Sequence, residues 1–309
     1  MISRRNIRIK VMQCLYAAES ESTATSEMSS LKLLKSYLDQ TAELFAFCIF
    51  SLTEIARYAE TDAKLRSSKH LPSYEDLHVN IKIAGNSLLW KILETASFQT
   101  IIKQKHFAEK INQELIRKIY YSLVETELYK IYINEESRDK KSEKELLSFI
   151  FTDLMMANEE FTDFLEEHFL QWDDDAEMIY QMVLNYLSKP AAYEFNDVVG
   201  PEKTNYALTL LKTAIEKKDY TMEMIKPKLN NWDPDRIAAL DMIMLRMGIC
   251  EFLYFETIPT KVTINEYIDL AKSYSTQQSG QFINGILDSI HKELQAAGSI
   301  KKVEFKKQS

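Results

Sequence analysis

Apolar residues recur at helical spacing along most of the chain, and the strongest pattern lies late in it. From Asp235 to Phe255 the sequence reads DRIAALDMIMLRMGICEFLYF, apolar on nearly every side, with charges at Asp235, Arg236, Asp241, Arg246 and Glu251. A helix that is hydrophobic all round is a membrane span or the centre of a core. The charges interrupt it well short of the roughly 20 apolar residues a span requires, so the pattern predicts a core helix. Asp233 and Pro234 suit an N-cap and first helical position, and Pro259 stops the helix. Thr263-Ile-Asn-Glu266 has capping-box spacing and opens a helix with Ile264, Tyr267, Ile268 and Ala271 on one face. A third helix starts near Ser279, with Phe282, Ile283, Ile286, Leu287 and Ile290 at helical spacing. Arg246, inside the apolar helix, needs a carboxylate partner; Glu266 is the first candidate and Glu251 the alternative.

Upstream, the same spacing predicts an amphipathic helix over 5–19, with Ile7, Val11, Cys14, Leu15 and Ala18 inward and Arg4, Arg5 and Arg8 at its start and outer face. A polar linker over 20–30 separates it from a long helix over 31–66, which a break at His70-Leu-Pro-Ser73 ends. Further helices are predicted near 80–95, 106–132, 142–156, 158–169 and 175–188, with a charged loop from Asn134 to Ser142. Trp172 and Trp232 head similar stretches, 161–187 and 221–247; these are a degenerate repeat or two capped helix hairpins that look alike.

Composition sharpens the class. Only 6 Gly and 6 Pro among 309 residues disfavour turn-dense β folds and glycine-rich phosphate loops, so an all-α protein is expected. The length suggests about two domains, and 46% hydrophobic against 27% charged residues excludes global disorder. Cys14, Cys48 and Cys250 are far apart and in apolar stretches, as buried reduced thiols would be, and the histidines lack metal-ligand spacing. No metal or cofactor is expected. Asp173-Asp174-Asp175 reads as helix capping. Phe107, Tyr120, Tyr121, Tyr129 and Tyr132 read as core packing, not as a base-stacking platform. No apolar h-region follows the basic start, so no secretory signal is expected and the protein is expected to be cytoplasmic, with no membrane partner. No nucleophile–base constellation, Walker loop or dinucleotide fingerprint is present, so no enzyme is expected.

Net charge is −8, but its distribution matters: residues 1–20 and 301–309 carry +3 each, leaving −14 for the middle. Contact with nucleic-acid phosphates should therefore be local to the basic ends. Positive charge at a helix N-terminus is mildly unfavourable, so Arg4, Arg5 and Arg8 are either a solvated helix end or a binding feature.

The run LRMGICEFLYFETIPTKVTINEYIDLAKSYSTQQSGQFINGILD resembles the C-terminal half of the NusB transcription antitermination family. The matching pieces are Leu245-Arg246, Glu251, Pro259, Val262, Ile264-Asn265-Glu266, Leu270-Ala271-Lys272 and Ser279-Gly280-x-Phe282-x-Asn284-Gly285-x-Leu287-Asp288. At the other end RRNIRIKVMQCLYA resembles the family's first helix. The resemblance implies a bundle of two packed helical subbundles, its first helix in 1–20 and its remainder in 198–295. An additional helical insert occupies 21–197, and a basic tail 296–309.

The resemblance also implies binding of boxA-type single-stranded RNA together with the ribosomal protein NusE, within a transcription elongation complex on ribosomal RNA operons. On this basis Arg4, Arg5 and Arg8 would contact RNA, and Tyr16, Asp241 and Gln278 the protein partner. Gln278 departs from the aspartate that some members carry. NusB-like domains also occur in ribosomal RNA cytosine methyltransferases, which have a cofactor-binding α/β domain downstream. A helical adaptor that binds a protein without RNA is the other alternative.

Overall fold

The computed structural model describes residues 2–20, 27–190, 193–229 and 237–303. Among them there is no β-strand. The helices are α1 (Arg4–Ser20), α2 (Glu27–Ser67), α3 (Tyr74–Leu77), α4 (Ser87–Glu94), α5 (Ala96–Gln104), α6 (Phe107–Lys110), α7 (Gln113–Glu125) and α8 (Glu127–Asn134). They continue with α9 (Lys140–Phe149), α10 (Glu159–His168), α11 (Trp172–Ser188), α12 (Pro201–Glu216), α13 (Lys218–Ile225), α14 (Ala239–Tyr254), α15 (Thr260–Tyr274) and α16 (Ser279–Ala296). After α9 the chain continues as a wider π-helical turn over Ile150–Met155.

Most expected helices are present, and the differences have local causes. The segment predicted as one helix over 106–132 is three. Asn112 accepts from the Glu114 and Leu115 N–H groups and starts α7. Thr126, in an extended conformation, accepts from Tyr129 N–H and starts α8. Caps of this kind stop one helix and begin the next without a Gly or Pro to mark the place. His106 at φ 53°, in the left-handed region, separates α5 from α6. Asp173, Asp174 and Asp175 lie in the first turn of α11 and not at its cap, so they complement the helix dipole without capping it. The proposed caps Asp233 and Pro234, with Trp232, Asp235 and Arg236, lie outside the described residues.

The chain forms two compact units. One consists of Met1–Ile2 and Leu38–Gly200, the other of Ser3–Tyr37 and Pro201–Ser309. The sequence-based segment limits were residues 21 and 198, whereas the contact boundary falls inside α2 and at Pro201.

The Leu38–Gly200 unit is built on aromatic packing. Phe45 stacks on Phe195 at 5.6 Å between centroids, and Phe47 meets Phe107 edge-on at 5.3 Å. Such pairs add about 0.5–1.5 kcal/mol each beyond their buried area. Tyr120, Tyr129 and Tyr132 are buried in this core, while Tyr121 is partly exposed and donates to Asp62.

In the second unit α1 packs on α12 and α14, and α14, α15 and α16 pack on one another. Gly248, in the middle of α14, marks the closest approach. A Cβ there would lie 3.0 Å from Leu287 Cδ2 and 3.3 Å from the Tyr267 ring. Both neighbours are fully buried, so the helix keeps a glycine despite its propensity cost of about 1 kcal/mol.

Candidate nucleic-acid interface

Three charged residues on α14, Asp241, Arg246 and Glu251, are buried. A buried charge is tolerated only when partnered, and each finds its partner on another helix. Asp241 Oδ2 accepts from Ser279 Oγ at the start of α16 at 2.7 Å. Arg246 Nη1 donates to Glu19 near the end of α1, and Lys218 of α13 reaches the same carboxylate at 2.9 Å. The expected partners of Arg246 were Glu266 or Glu251, and both are engaged by Arg8 instead.

Glu251 is the centre of this arrangement. Its Oε1 accepts from Arg8 Nε at 2.7 Å, Tyr206 OH at 2.6 Å and Tyr267 OH at 3.0 Å. Its Oε2 accepts from Arg8 Nη2 at 3.0 Å and Thr263 Oγ1 at 2.9 Å. Arg8 Nη1 donates to Glu266 at 3.0 Å. The Arg8 guanidinium also lies over the rings of Tyr206 and Tyr267. Burial opposes the charge on Arg8, but Glu251 outweighs it and the pKa is raised. Burial, followed by the Glu251 charge, pushes both phenols well above their ordinary value. Lys302 closes the same end of α14, donating to the Glu251 and Phe255 carbonyls at 2.8 and 2.7 Å.

Two expectations change here. Thr263 and Glu266 do not form a capping box: α15 begins at Thr260 after Pro259, so both lie inside the helix and face the cluster. Arg8 is not on the outer face of α1; its side chain is 2% exposed and its donors are committed to carboxylates. Lys10 is buried as well. Of the four cations in the first helix, Arg4 and Arg5 remain at the surface. Arg4 pairs with Glu202 of α12 at 2.8 Å in an exposed contact and lies over the Tyr206 ring. Arg5 donates to Ser273 Oγ of α15 at 3.3 Å. The Lys203 pKa is lowered, first by burial and then by the Arg4 charge. No acidic residue lies in the first turn of α1, so its positive dipole end is uncompensated on that helix.

The expected partner-contacting residues are placed differently from one another. Tyr16 is 46% exposed on α1, and Gln278 is exposed at the N-cap of α16. Asp241 is buried and bonds the residue that follows Gln278. Sequence spacing did not reveal Tyr206 or Lys302, because neither sits in a recognisable motif. All three cysteines are buried and free, and among the described residues no group of three or more His, Cys, Asp or Glu could hold a metal. No described helix is long and apolar enough to cross a membrane.

The similarity to known proteins starts in α10, within the Leu38–Gly200 unit, and runs into α16. The NusB family model matches residues 162–292. A Listeria monocytogenes protein named transcription antitermination protein NusB is 33% identical over 115 residues, covering 37% of this chain and 88% of its own length. The chain belongs to the NusB family. Proteins of the same name from Salinibacter ruber and Methylacidiphilum infernorum are 38% and 47% identical over 102 and 83 residues. The matched stretches cover 33% and 27% of this chain, and less than two thirds of those relatives, 64% and 58%. No solved structure matches.

Proposed function

We propose that this protein is a non-catalytic transcription antitermination factor that binds boxA-type RNA together with NusE on ribosomal RNA operon transcripts. The observation that carries the proposal is the division of labour among the first three arginines. Arg8 fixes α1 to α14 and α15 through Glu251 and Glu266, while Arg4 and Arg5 stay at the exposed start of the same helix. The Glu202 pair of Arg4 is solvent-exposed, and such pairs contribute only about 0–1 kcal/mol, so a phosphate can replace the carboxylate at small cost. Charge supplies affinity without sequence preference; preference comes from unstacked bases held by neighbouring side chains and by the protein partner.

For NusE we assign the exposed side chains of Tyr16 and Gln278, with the buried Asp241 bonding Ser279, the residue after Gln278. The deciding measurement is affinity for boxA-like and scrambled RNA, with and without NusE. The expected result is a preference for boxA that increases with NusE, and loss of that increase in Tyr16→Ala. NusE binding with no RNA preference would instead fit a helical adaptor.

A further inference from the structure

The Leu38–Gly200 unit is strongly acidic: residues 38–200 hold 17 Lys and Arg against 29 Asp and Glu, a net charge of −12. A cavity of about 750 Å³ in this unit runs against that balance. Lys91 of α4 and Lys140, Lys141 and Lys144 of α9 line it, with Glu194 as the lining carboxylate. Elsewhere in the unit many lysines are paired, as in Lys69–Asp76, Lys105–Glu43, Lys110–Glu43 and Lys118–Glu160, while unpaired ones such as Lys64 and Lys103 are scattered singly over the exposed surface. Among the described residues none of the four cavity lysines has an ion pair.

Two of the nearby carboxylates are committed elsewhere. Glu143 is buried and accepts from Ser87 and Arg138, and Asp139 caps α9 by accepting from the Lys141 and Ser142 N–H groups. Lys140 and Lys141 also lie in the first turn of α9, where the helix dipole disfavours cations. Four unneutralised cations in one concavity, two of them placed against local stability, call for an anion. The rest of the wall combines Leu88, Leu187, Pro190 and Tyr193 with the hydroxyl residues Ser87, Thr95 and Ser188. That combination suits a phosphate attached to a flat, partly apolar body, in a cavity of ordinary ligand-site size.

We propose that this cavity binds the phosphate and base of a nucleotide, free or as a link in an RNA strand. The lysines take the phosphate and Tyr193 with the apolar wall takes the base. The site lies within one unit and does not depend on the reading of Arg4 and Arg5.

The test compares the full chain with Lys141→Glu/Lys144→Glu, and with Lys64→Glu/Lys103→Glu as a charge-matched control on exposed lysines outside the cavity. ATP and a short single-stranded RNA are the probes, and the RNA arm is run in an Arg4→Ala/Arg5→Ala background so that the two sites fail separately. Acidic residues near the start of α9 agree with its dipole, so the cavity variant should stay folded. Loss of about tenfold in affinity for both probes, with the control unchanged, supports a site that takes free nucleotides. The same loss for RNA alone, with the salt slope reduced by about 1.4 for two phosphate contacts, supports a strand. Equal affinity in wild type and cavity variant for both probes, or an equal loss in the control, overturns the proposal.

Discussion

Arg8 and Glu251, 243 residues apart in sequence, meet in a buried two-pronged ion pair at 2.7 and 3.0 Å. The pair locks the first helix onto the most apolar one, and three hydroxyls complete the carboxylate's shell. Removing one member strands a buried charge, and Glu251→Ala should cost about 3–5 kcal/mol in denaturant unfolding. Arg8→Met should cost a similar amount. The double substitution Arg8→Met/Glu251→Leu should recover much of the loss, because neither charge is then left alone. Strictly additive losses would show that the two side chains do not act as a pair.

The Arg246–Glu19 pair should behave asymmetrically. Arg246 is buried, and its Nε and Nη2 have no hydrogen-bond partner among the described residues. Glu19 is more exposed and keeps Lys218 when Arg246 is gone. Arg246→Met therefore removes unsatisfied donors and should change stability by less than about 1 kcal/mol, while Glu19→Ala strands the guanidinium and should cost about 3 kcal/mol. The reverse order in chemical denaturation would refute this assignment. Burial raises the Glu19 pKa, but the hydrogen bonds from Arg246 and Lys218 outweigh it and the net shift is downward. Its contribution is thus complete above the ordinary carboxylate value and is lost as pH falls through the lowered one.

Alkaline stability should depend on Tyr206 and Tyr267. Their folded-state values lie well above the ordinary 10.0, from burial and then from the Glu251 charge. Below about pH 10 the phenols are protonated in both folded and unfolded chains and their contribution is complete. As pH rises further the unfolded chain releases protons that the folded chain retains, so stability declines. Tyr267→Phe should make that decline shallower, read from melting temperatures across an alkaline pH series. An unchanged decline would mean that other groups control it.

The helical class and the three C-terminal helices were legible from apolar periodicity, and the family from fixed-spacing identities such as Ser279-Gly280-x-Phe282. The wiring of the charges was not. Periodicity marks Arg246 as buried but says nothing about which of two arginines reaches Glu251, a choice made by the way α1 lies on α14. Thr263 and Glu266 show a similar ambiguity. Spacing of three residues identifies a capping box at a helix start, yet inside a helix it places two side chains on one face. The sequence offers no local sign that Arg8 differs from Arg4 and Arg5, and its burial follows only from a partner 243 residues away.

That burial sets the expected electrostatics of RNA binding. Three arginines each meeting a phosphate of single-stranded RNA would give a slope of log affinity against log salt of about −2.1, and two give about −1.4. Because Arg8 is held by Glu251 and Glu266 while Arg4 and Arg5 are accessible, the smaller slope is expected from this surface. Arg4→Ala/Arg5→Ala should remove that contribution and with it the preference for boxA over scrambled RNA, with complex formation with NusE largely retained. Arg8→Lys keeps the charge but not the two-pronged geometry, so it should lower the melting temperature more than it changes the slope. If the double variant bound boxA RNA with wild-type affinity and slope, the contact would belong to other cations. The lysine-rich stretch from Lys301 to Lys307 would be the first to test, although Lys302 is already held by the Glu251 and Phe255 carbonyls and Lys306 and Lys307 lie outside the described residues.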